Sequence, residues 1–232
     1  QIVRPVVSAL SYTPFNEHRH PMNATFQNGR YETVAQIGEG GMAEVYKVID
    51  TKFNVTRAIK RIKGQRSDAR SRREAYIMVG LLHPAIVTVF DCFEEENAFH
   101  IVMEHCQCSA VDWIRQNGPM SAKTAAHVTS QVLSALEFVH QNGVIHRDIK
   151  PHNILITDNG QIKLSDFGLA QITYQEESLT TTNALLGSLL FMSPEQRHGT
   201  KDINLTSDLY SLALTMVWLM LHETRGDLFS RQ

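Results

Sequence analysis

Two carboxylates and one amide are spaced so that the chain can bring them together. Asp148 and Asp166 stand 18 positions apart, and Asn153 lies between them, close to Lys150. A carboxylate and an amide oxygen suit a hard cation such as Mg²⁺, which keeps water ligands and borrows phosphate oxygens. These residue types therefore predict a magnesium site at which a phosphate compound binds.

The residues between Asn153 and Asp166 predict how these side chains meet. Residues 154–157 and 161–164 alternate apolar and polar side chains around the turn Asp158-Asn159-Gly160. This pattern indicates a β-hairpin. Because a hairpin folds the chain back, the segment before it and the segment after it come to one place.

The same stretch resembles the catalytic loop and metal-binding turn of eukaryotic-type protein kinases. The pattern H-R-D-x-K-x-x-N, at residues 146–153, is followed 13 residues later by D-F-G. The alternative is a surface hairpin flanked by charged turns, but five further kinase signatures occur in the family's order. The resemblance implies that Asp148 accepts the proton of a substrate hydroxyl and that Lys150 steadies the transferred phosphate. It also implies that Asn153 and Asp166 hold Mg²⁺.

Residues 30–63 predict three strands, the first two of them separated by glycines that begin at Gly38. A glycine hairpin alone is commonly just a turn. Here it resembles the kinase glycine-rich loop, in which backbone N–H groups approach phosphate oxygens. Ala43 stands where the family has its third glycine. After the hairpin, R-A-I-K ends at Lys60, which resembles the strand lysine that holds the α- and β-phosphates.

Residues 68–82 predict a helix that carries Glu74. Glu74 resembles the helix glutamate that pairs with the strand lysine, here Lys60. A local ion pair between Glu74 and the arginines of residues 66–73 is the alternative.

A further pair of strands is predicted around residues 94–97, and it leads to Met103, Glu104 and Cys106. These resemble the gatekeeper and hinge of a kinase, where backbone groups meet the adenine edge; Met103 is also expected to pack in the core. The full set that the resemblance assigns to the nucleotide is Ile37, Gly38, Glu39, Gly40, Gly41, Val45, Ala58, Lys60, Met103, Glu104, Cys106 and Leu155.

The remaining chain predicts helices. Residues 121–141 carry apolar side chains at three- and four-residue steps, with Ser121 as N-cap and Gly143 as the stop. A helix from Thr206 to Leu221 carries Asp208, which resembles the buried aspartate that binds the backbone of the H-R-D turn; a helix-end charge is the alternative.

Between these helices, residues 169–192 lack periodicity and are rich in hydroxyls, like an activation loop. Arg147 could pair with a phosphate placed on that loop. Gly187-Ser188 resembles the Gly-Thr that contacts the catalytic residues. Met192-Ser193-Pro194-Glu195 resembles the A-P-E box.

The amino-acid composition limits the classes of protein to which this chain could belong. Apolar residues make up 43% and charged residues 20% of the chain, as in a soluble globular protein, and a net charge of −2 argues against nucleic acid as a partner. No apolar run is long enough for a membrane span. The three cysteines form no secreted disulfide framework, and reduced thiols in the cytoplasm are expected. A zinc pair at Cys106 and Cys108 is the alternative, but no second pair exists.

The resemblance covers residues 30–222 approximately and implies an α+β, two-lobed protein-kinase-like fold with ATP between the lobes. We expect an N-terminal extension over residues 1–27, an N-lobe over 28–105 and a C-lobe over 106–232. The C-lobe is expected to be incomplete, because a full member of the family continues with more helices.

The expected function is transfer of the γ-phosphate of ATP, with Mg²⁺, to Ser/Thr hydroxyls of protein substrates. Lys150, two residues after Asp148, is typical of the Ser/Thr class, and the glycine loop and M-S-P-E-Q resemble bacterial-style members. The alternatives are a pseudokinase that acts as a binding or scaffold module, and a small-molecule kinase with the same fold.

Overall fold

A computed structural model describes residues 25–40, 43–62, 78–167, 189–199 and 203–222. The chain divides into two compact units. The sheet unit contains the described residues up to His83 together with Val87–Cys106. The helical unit contains Pro84–Ile86 and the described residues from Gln107 onward. The α+β class expected from the sequence is confirmed.

The described part of the sheet unit is built on six antiparallel strands. They are β1 Thr25–Phe26, β2 Tyr31–Glu39, β3 Ala43–Asp50, β4 Val55–Ile62, β5 Val89–Glu95 and β6 Ala98–Glu104. Their order in the sheet is β1-β2-β3-β4-β6-β5. The predictions of three strands within residues 30–63 and of a strand pair around residues 94–97 are confirmed.

One face of this sheet is a hydrophobic cluster. Tyr46 pairs with Ile59, and Ile59 pairs with Val102, so the three side chains lie on the same side. Phe26 and Tyr31 pack into this cluster. Phe26 falls within the stretch expected to be an N-terminal extension, yet it pairs with Tyr31 as part of β1. A two-residue strand carries no period, which is why the sequence did not reveal it.

The helix predicted over residues 68–82 lies mostly outside the described residues, and Glu74 with it. Met78 and Val79 are helical, and a turn follows at Gly80. The Leu81 N–H donates to the Met78 carbonyl oxygen at 3.1 Å, which closes a tight turn. The helix therefore ends three residues earlier than predicted, because glycine at position 80 favours termination.

The helical unit combines a small antiparallel sheet with helices and a 3₁₀ turn. The hairpin predicted around residues 158–160 is confirmed as β8 and β9. The elements are β7 Cys108–Ser109, α1 Ala110–Asn117, α2 Ala122–Gln141, the 3₁₀ turn Pro151–Asn153, β8 Ile154–Ile156, β9 Ile162–Leu164, α3 Pro194–Arg197 and α4 Leu205–Leu221.

The long helix α2 ends shortly before the segment that carries Asp148. Ser121 Oγ accepts from the Thr124 N–H at 3.2 Å, and Gly143 follows the helix with φ 73°, so the predicted cap and stop are confirmed. The predicted apolar side is buried, and α2 packs against α4 and β9. Helix α4 begins one residue before the predicted Thr206, because Asn204 Oδ1 accepts from the Thr206 N–H at 2.8 Å.

Candidate active site

The sheet unit gathers four predicted nucleotide-binding residues on one face. Val45 pairs with Lys60, and Ala58 pairs with Met103. Directly opposite residues of antiparallel strands point to the same side, and Ala58 and Lys60 are two apart on β4. We call this side, defined by Val45, Ala58, Lys60 and Met103, the Lys60 face. It is opposite to the hydrophobic cluster of the same sheet.

The predicted glycine-rich loop ends β2 beside the Lys60 face. Gly38 pairs with Val45 after a bulge that begins at Gln36. A Cβ atom at Gly38 would lie 3.3 Å from the Val45 Cβ, so a larger residue would crowd β3. The Gly40 N–H donates to the Ala43 carbonyl oxygen at 2.9 Å and closes the hairpin. Ile37 and Glu39 are exposed, and Gly41 lies outside the described residues.

The predicted hinge follows β6. The Glu104 N–H donates to the Thr88 carbonyl oxygen at 2.8 Å, so this N–H holds two neighbouring segments together. Met103 and Cys106 are partly buried, and Cys106 forms no disulfide. Leu155 belongs to the helical unit, where it lies on β8 and pairs with Lys163 and Ser109.

In the helical unit, residues 146–153 form what we call the catalytic turn, with Asp148 at its centre. Lys150 Nζ lies 2.8 Å from Asp148 Oδ2, and Asn153 Nδ2 donates to the same oxygen at 2.9 Å. Asn153 Nδ2 also donates to the Asp148 backbone oxygen at 2.7 Å. Both of these contacts are made to Oδ2, so Oδ1 is the oxygen through which the carboxylate could accept a proton from a substrate.

The hairpin β8–β9 brings Asp166 next to Asn153, as the sequence predicted. The N–H of Ser165, the residue before Asp166, donates to the Asn153 backbone oxygen at 2.9 Å, and Ser165 Oγ donates to it at 3.2 Å. The Asn153 amide nitrogen is turned toward Asp148, so its Oδ1 is the atom that can bind a cation. An amide oxygen and a neighbouring carboxylate fit Mg²⁺, which completes its shell with water and phosphate.

The buried ring of His146 holds the backbone at Asp148 in place. Its Nδ1 accepts from the Asp148 N–H at 3.2 Å, so the ring proton is on Nε2, which donates to the Ser165 backbone oxygen at 2.9 Å. Burial lowers the pKa of His146, so the neutral ring that these two bonds require is favoured. The Phe167 ring packs 4.5 Å away.

Asp208 holds the start of the catalytic turn from the first turn of α4. Its carboxylate accepts from the His146 N–H at 2.9 Å, the Arg147 N–H at 2.7 Å and His140 Nε2 at 2.8 Å. Asp208 is 1% exposed, and the three donors together with the helix N-terminus stabilise a buried charge. The predicted role of Asp208 as the backbone partner of this turn is confirmed.

Arg147 adopts a left-handed backbone with φ 70°, and its Nη1 is buried without a hydrogen-bond partner in the part of the chain that the structure describes. Several predicted partners of the catalytic turn lie outside the described residues. They are Gly168, the hydroxyl-rich segment with Thr173, Ser178, Thr180, Thr181 and Thr182, and the pair Gly187 and Ser188.

Sequence reasoning missed Gln196. Its Oε1 accepts from the Ser193 N–H and Oγ, each at 3.1 Å, and its Nε2 donates to the Arg147 backbone oxygen at 2.7 Å. The spacing Ser193-x-x-Gln196 is a capping-box pattern, which could have located the first contact. Glu195, one residue earlier, accepts from Ser207 Oγ, and this bond lowers the pKa of Glu195.

Within the described ranges, no group of three or more His, Cys, Asp or Glu side chains could hold a metal ion. Cys92, Cys106 and Cys108 form no disulfide. No helix in those ranges combines the length and apolar character needed to cross a bilayer.

Comparison with known proteins adds independent findings. The family described as the protein kinase domain matches residues 31–227. The serine/threonine-protein kinase PrkC of Bacillus subtilis is 40% identical, over 83% of this chain and 30% of that protein. The serine/threonine-protein kinase PknB of Mycobacterium tuberculosis is 37% identical, over 84% of this chain and 33% of that protein. The chain thus spans about a third of the length of the curated relatives it matches.

Proposed function

This chain belongs to the protein kinase domain family, and from that premise we propose that it transfers the γ-phosphate of ATP to Ser/Thr hydroxyls of protein substrates. The observation that carries the proposal is the environment of Asp148. Lys150 and Asn153 both bind its Oδ2, which fixes the direction from which Oδ1 could accept a proton from a hydroxyl. A carboxylate held in this way can act as a general base.

The other residues of the turn act by position and charge. Asp148 orients the substrate hydroxyl and accepts its proton as the oxygen attacks. Lys150, 2.8 Å from Asp148 Oδ2, supplies positive charge where negative charge moves onto the transferred group and its leaving oxygen. On the Lys60 face, Lys60 binds the α- and β-phosphates, and Glu74 would be its ion-pair partner.

Nucleotide binding is proposed to use the backbone near Gly38 and Gly40 for phosphates, and Val45, Ala58 and Met103 for the adenine ring. The shared side of Val45, Ala58 and Met103 supports this, because an apolar patch next to a lysine suits a nucleotide. The proposed nucleotide site also includes Ile37, Glu39, Gly41, the hinge residues Glu104 and Cys106, and Leu155.

Asn153 Oδ1 and the Asp166 carboxylate would hold Mg²⁺, which supplies charge neutralisation at the phosphates. The chain's own contribution is to orient these oxygens. The Ser165 bonds to the Asn153 carbonyl keep Asn153 and Asp166 adjacent, and the Asp148 bonds keep the Asn153 amide turned the right way.

Protein substrates with Ser or Thr are favoured by Lys150 and by the names of the relatives. The presence of Asp148, Lys150, Asn153 and Asp166 argues against the pseudokinase alternative. We further propose the lobe boundaries 28–105 and 106–232, and a cytoplasmic site of action, which is supported by three cysteines that form no disulfide.

The proposal is tested with the full 232-residue chain, radiolabelled ATP, Mg²⁺ and a generic Ser/Thr protein such as myelin basic protein or casein. Label on Ser or Thr, which EDTA abolishes, is the expected result. The Asp148→Asn variant, prepared in parallel, should give at least about a hundredfold less label, whereas a contaminating kinase would label both samples equally. A wild-type sample that binds ATP without transferring phosphate would favour the pseudokinase.

A further inference from the structure

We propose that Gln196 is a positioning residue for the base, because its side-chain amide fixes the Arg147–Asp148 peptide from outside the catalytic turn. The inference rests on the proposed role of Asp148 as proton acceptor, but its structural part can be tested without catalysis. Gln196 lies 49 residues from Arg147 in sequence, on the four-residue helix α3.

The peptide unit between Arg147 and Asp148 is held at both of its polar atoms. Its oxygen, from Arg147, accepts from Gln196 Nε2 at 2.7 Å, and its N–H, from Asp148, donates to His146 Nδ1 at 3.2 Å. A peptide that is held at both ends cannot rotate about its long axis. The direction of the Asp148 Cα–Cβ bond, and with it the position of the carboxylate, is therefore set partly by Gln196.

The backbone at this point needs such support. Arg147 has φ 70°, in the left-handed region that a side chain with a Cβ adopts only with strain. Asp208 holds the amide on the N-terminal side of Arg147, and Gln196 holds the carbonyl on its C-terminal side. Removal of the carbonyl contact lets the peptide turn toward a relaxed conformation that reorients Asp148.

The other end of the Gln196 amide determines its orientation. Oε1 accepts from both the N–H and the Oγ of Ser193, which is 0% exposed. If oxygen and nitrogen exchanged places, two donors would meet at Ser193 and two acceptors would meet at Arg147. Ser193 therefore keeps Nε2 directed at the catalytic turn. Gln196 accepts hydrogen bonds through Oε1 and donates one through Nε2, so a substitution can remove the donor and keep the acceptor.

The decisive variant is Gln196→Glu, which has nearly the same shape. Its carboxylate still accepts from Ser193, but it has lost the donor and places a negative oxygen against the Arg147 carbonyl. We expect kcat at pH 8 to fall at least tenfold, KM for ATP to stay within twofold, and the melting temperature to change little. Protonation of the new carboxyl restores a donor toward Arg147, so the ratio of variant to wild-type kcat should rise as the pH is lowered from 8.

Ser193→Ala is the matched control. It loses the Oγ contact but keeps the Ser193 N–H bond to Gln196 and the bond to Arg147, so kcat should stay within twofold even if the protein melts a few degrees lower. Equal losses of kcat in Ser193→Ala and Gln196→Glu would overturn the proposal, because both would then reflect damage to α3 alone.

Amide hydrogen exchange provides a readout that needs no activity. In Gln196→Glu, peptides that cover residues 146–149 should exchange at least several-fold faster than in wild type, whereas in Ser193→Ala they should not. Unchanged exchange in Gln196→Glu overturns the inference whether or not the protein transfers phosphate. An inactive wild type with the expected exchange pattern would refute only the proposed function.

Discussion

Asn153 Nδ2 bonds both the backbone oxygen of Asp148, at 2.7 Å, and its side-chain Oδ2, at 2.9 Å. One amide group thus fixes the main chain and the carboxylate of the proposed base together. Since Lys150 uses the same Oδ2, the remaining oxygen has a defined direction, and the chemistry of the site should depend on its charge.

Replacement of Asp148 by Asn should remove transfer without loss of nucleotide affinity. The amide keeps the shape and can still accept from Asn153 and Lys150, but it cannot take a proton, so kcat should fall by about 10²–10⁴-fold. Titration with a fluorescent ATP analogue should give a Kd within about twofold of wild type. Transfer at a comparable rate would show that another group is the base.

Replacement of Lys60 by Met should abolish measurable transfer, because the proposed phosphate contact is lost from the Lys60 face. Lys52→Met is the matched control: it removes the same charge from the β3–β4 turn, where Lys52 packs over Phe53 at 5.3 Å. We expect the control to retain wild-type kcat/KM. Equal activity of wild type and Lys60→Met would mean that the phosphates are bound elsewhere.

Replacement of Asp208 by Asn should destabilise the protein, because a single amide oxygen replaces a carboxylate that accepts three hydrogen bonds. Its NH₂ group would face a backbone N–H, and a buried donor left unsatisfied costs about 1–3 kcal/mol. Urea denaturation followed by circular dichroism measures the loss. The control is Asp158→Asn, the same substitution at an exposed position, which should change the free energy of unfolding by less than about 0.5 kcal/mol.

His100 should make the protein less stable in acid. Its ring is 1% exposed and stacks on Phe93 at 4.8 Å, and the described residues provide no hydrogen-bond partner for its Nδ1. Burial lowers its pKa, with a further contribution from Arg61. The unfolded chain therefore binds a proton first as the pH falls through about 6.5, so this contribution to stability is complete above that pH and is lost below it.

Two variants separate titration from packing at this position. His100→Phe keeps the stack and removes both the proton site and the unpaired nitrogen, so it should be at least as stable as wild type and lose less stability between pH 7 and 5.5. His100→Gln should show the same weaker pH dependence but a lower melting temperature at every pH. If both variants lost as much stability as wild type between pH 7 and 5.5, His100 would not be the group responsible for that loss.

The sequence was sufficient for the parts of the site that lie close together along the chain. Asp148, Asn153 and Asp166 are linked by one short hairpin, and its alternation and turn residues specify where they meet. Asp208 was also predicted, although it lies 62 residues from His146, because the family pattern carries it. Without the family pattern, the sequence would have predicted only that Asp208 is a charged residue near the N-terminus of a helix.

Contacts between distant short elements were not predictable in the same way. β1 has two residues and α3 has four, so neither has a period that could reveal it. The capping-box spacing indicates that Gln196 contacts Ser193, but nothing in the sequence indicates that its other end reaches Arg147. Such a contact depends on how the carbonyl of a left-handed residue is oriented, which is a property of the folded backbone.

The position of Asp208 also has a consequence for biosynthesis. The ribosome delivers His146 and Arg147 long before the carboxylate that binds their amides, since 61 residues separate Arg147 from Asp208. A nascent chain that has not yet exposed α4 must leave those two amides to water. The proposed proton acceptor, Asp148, is therefore synthesised early but aligned late, after α4 has emerged and its Asp208 has bound these amides.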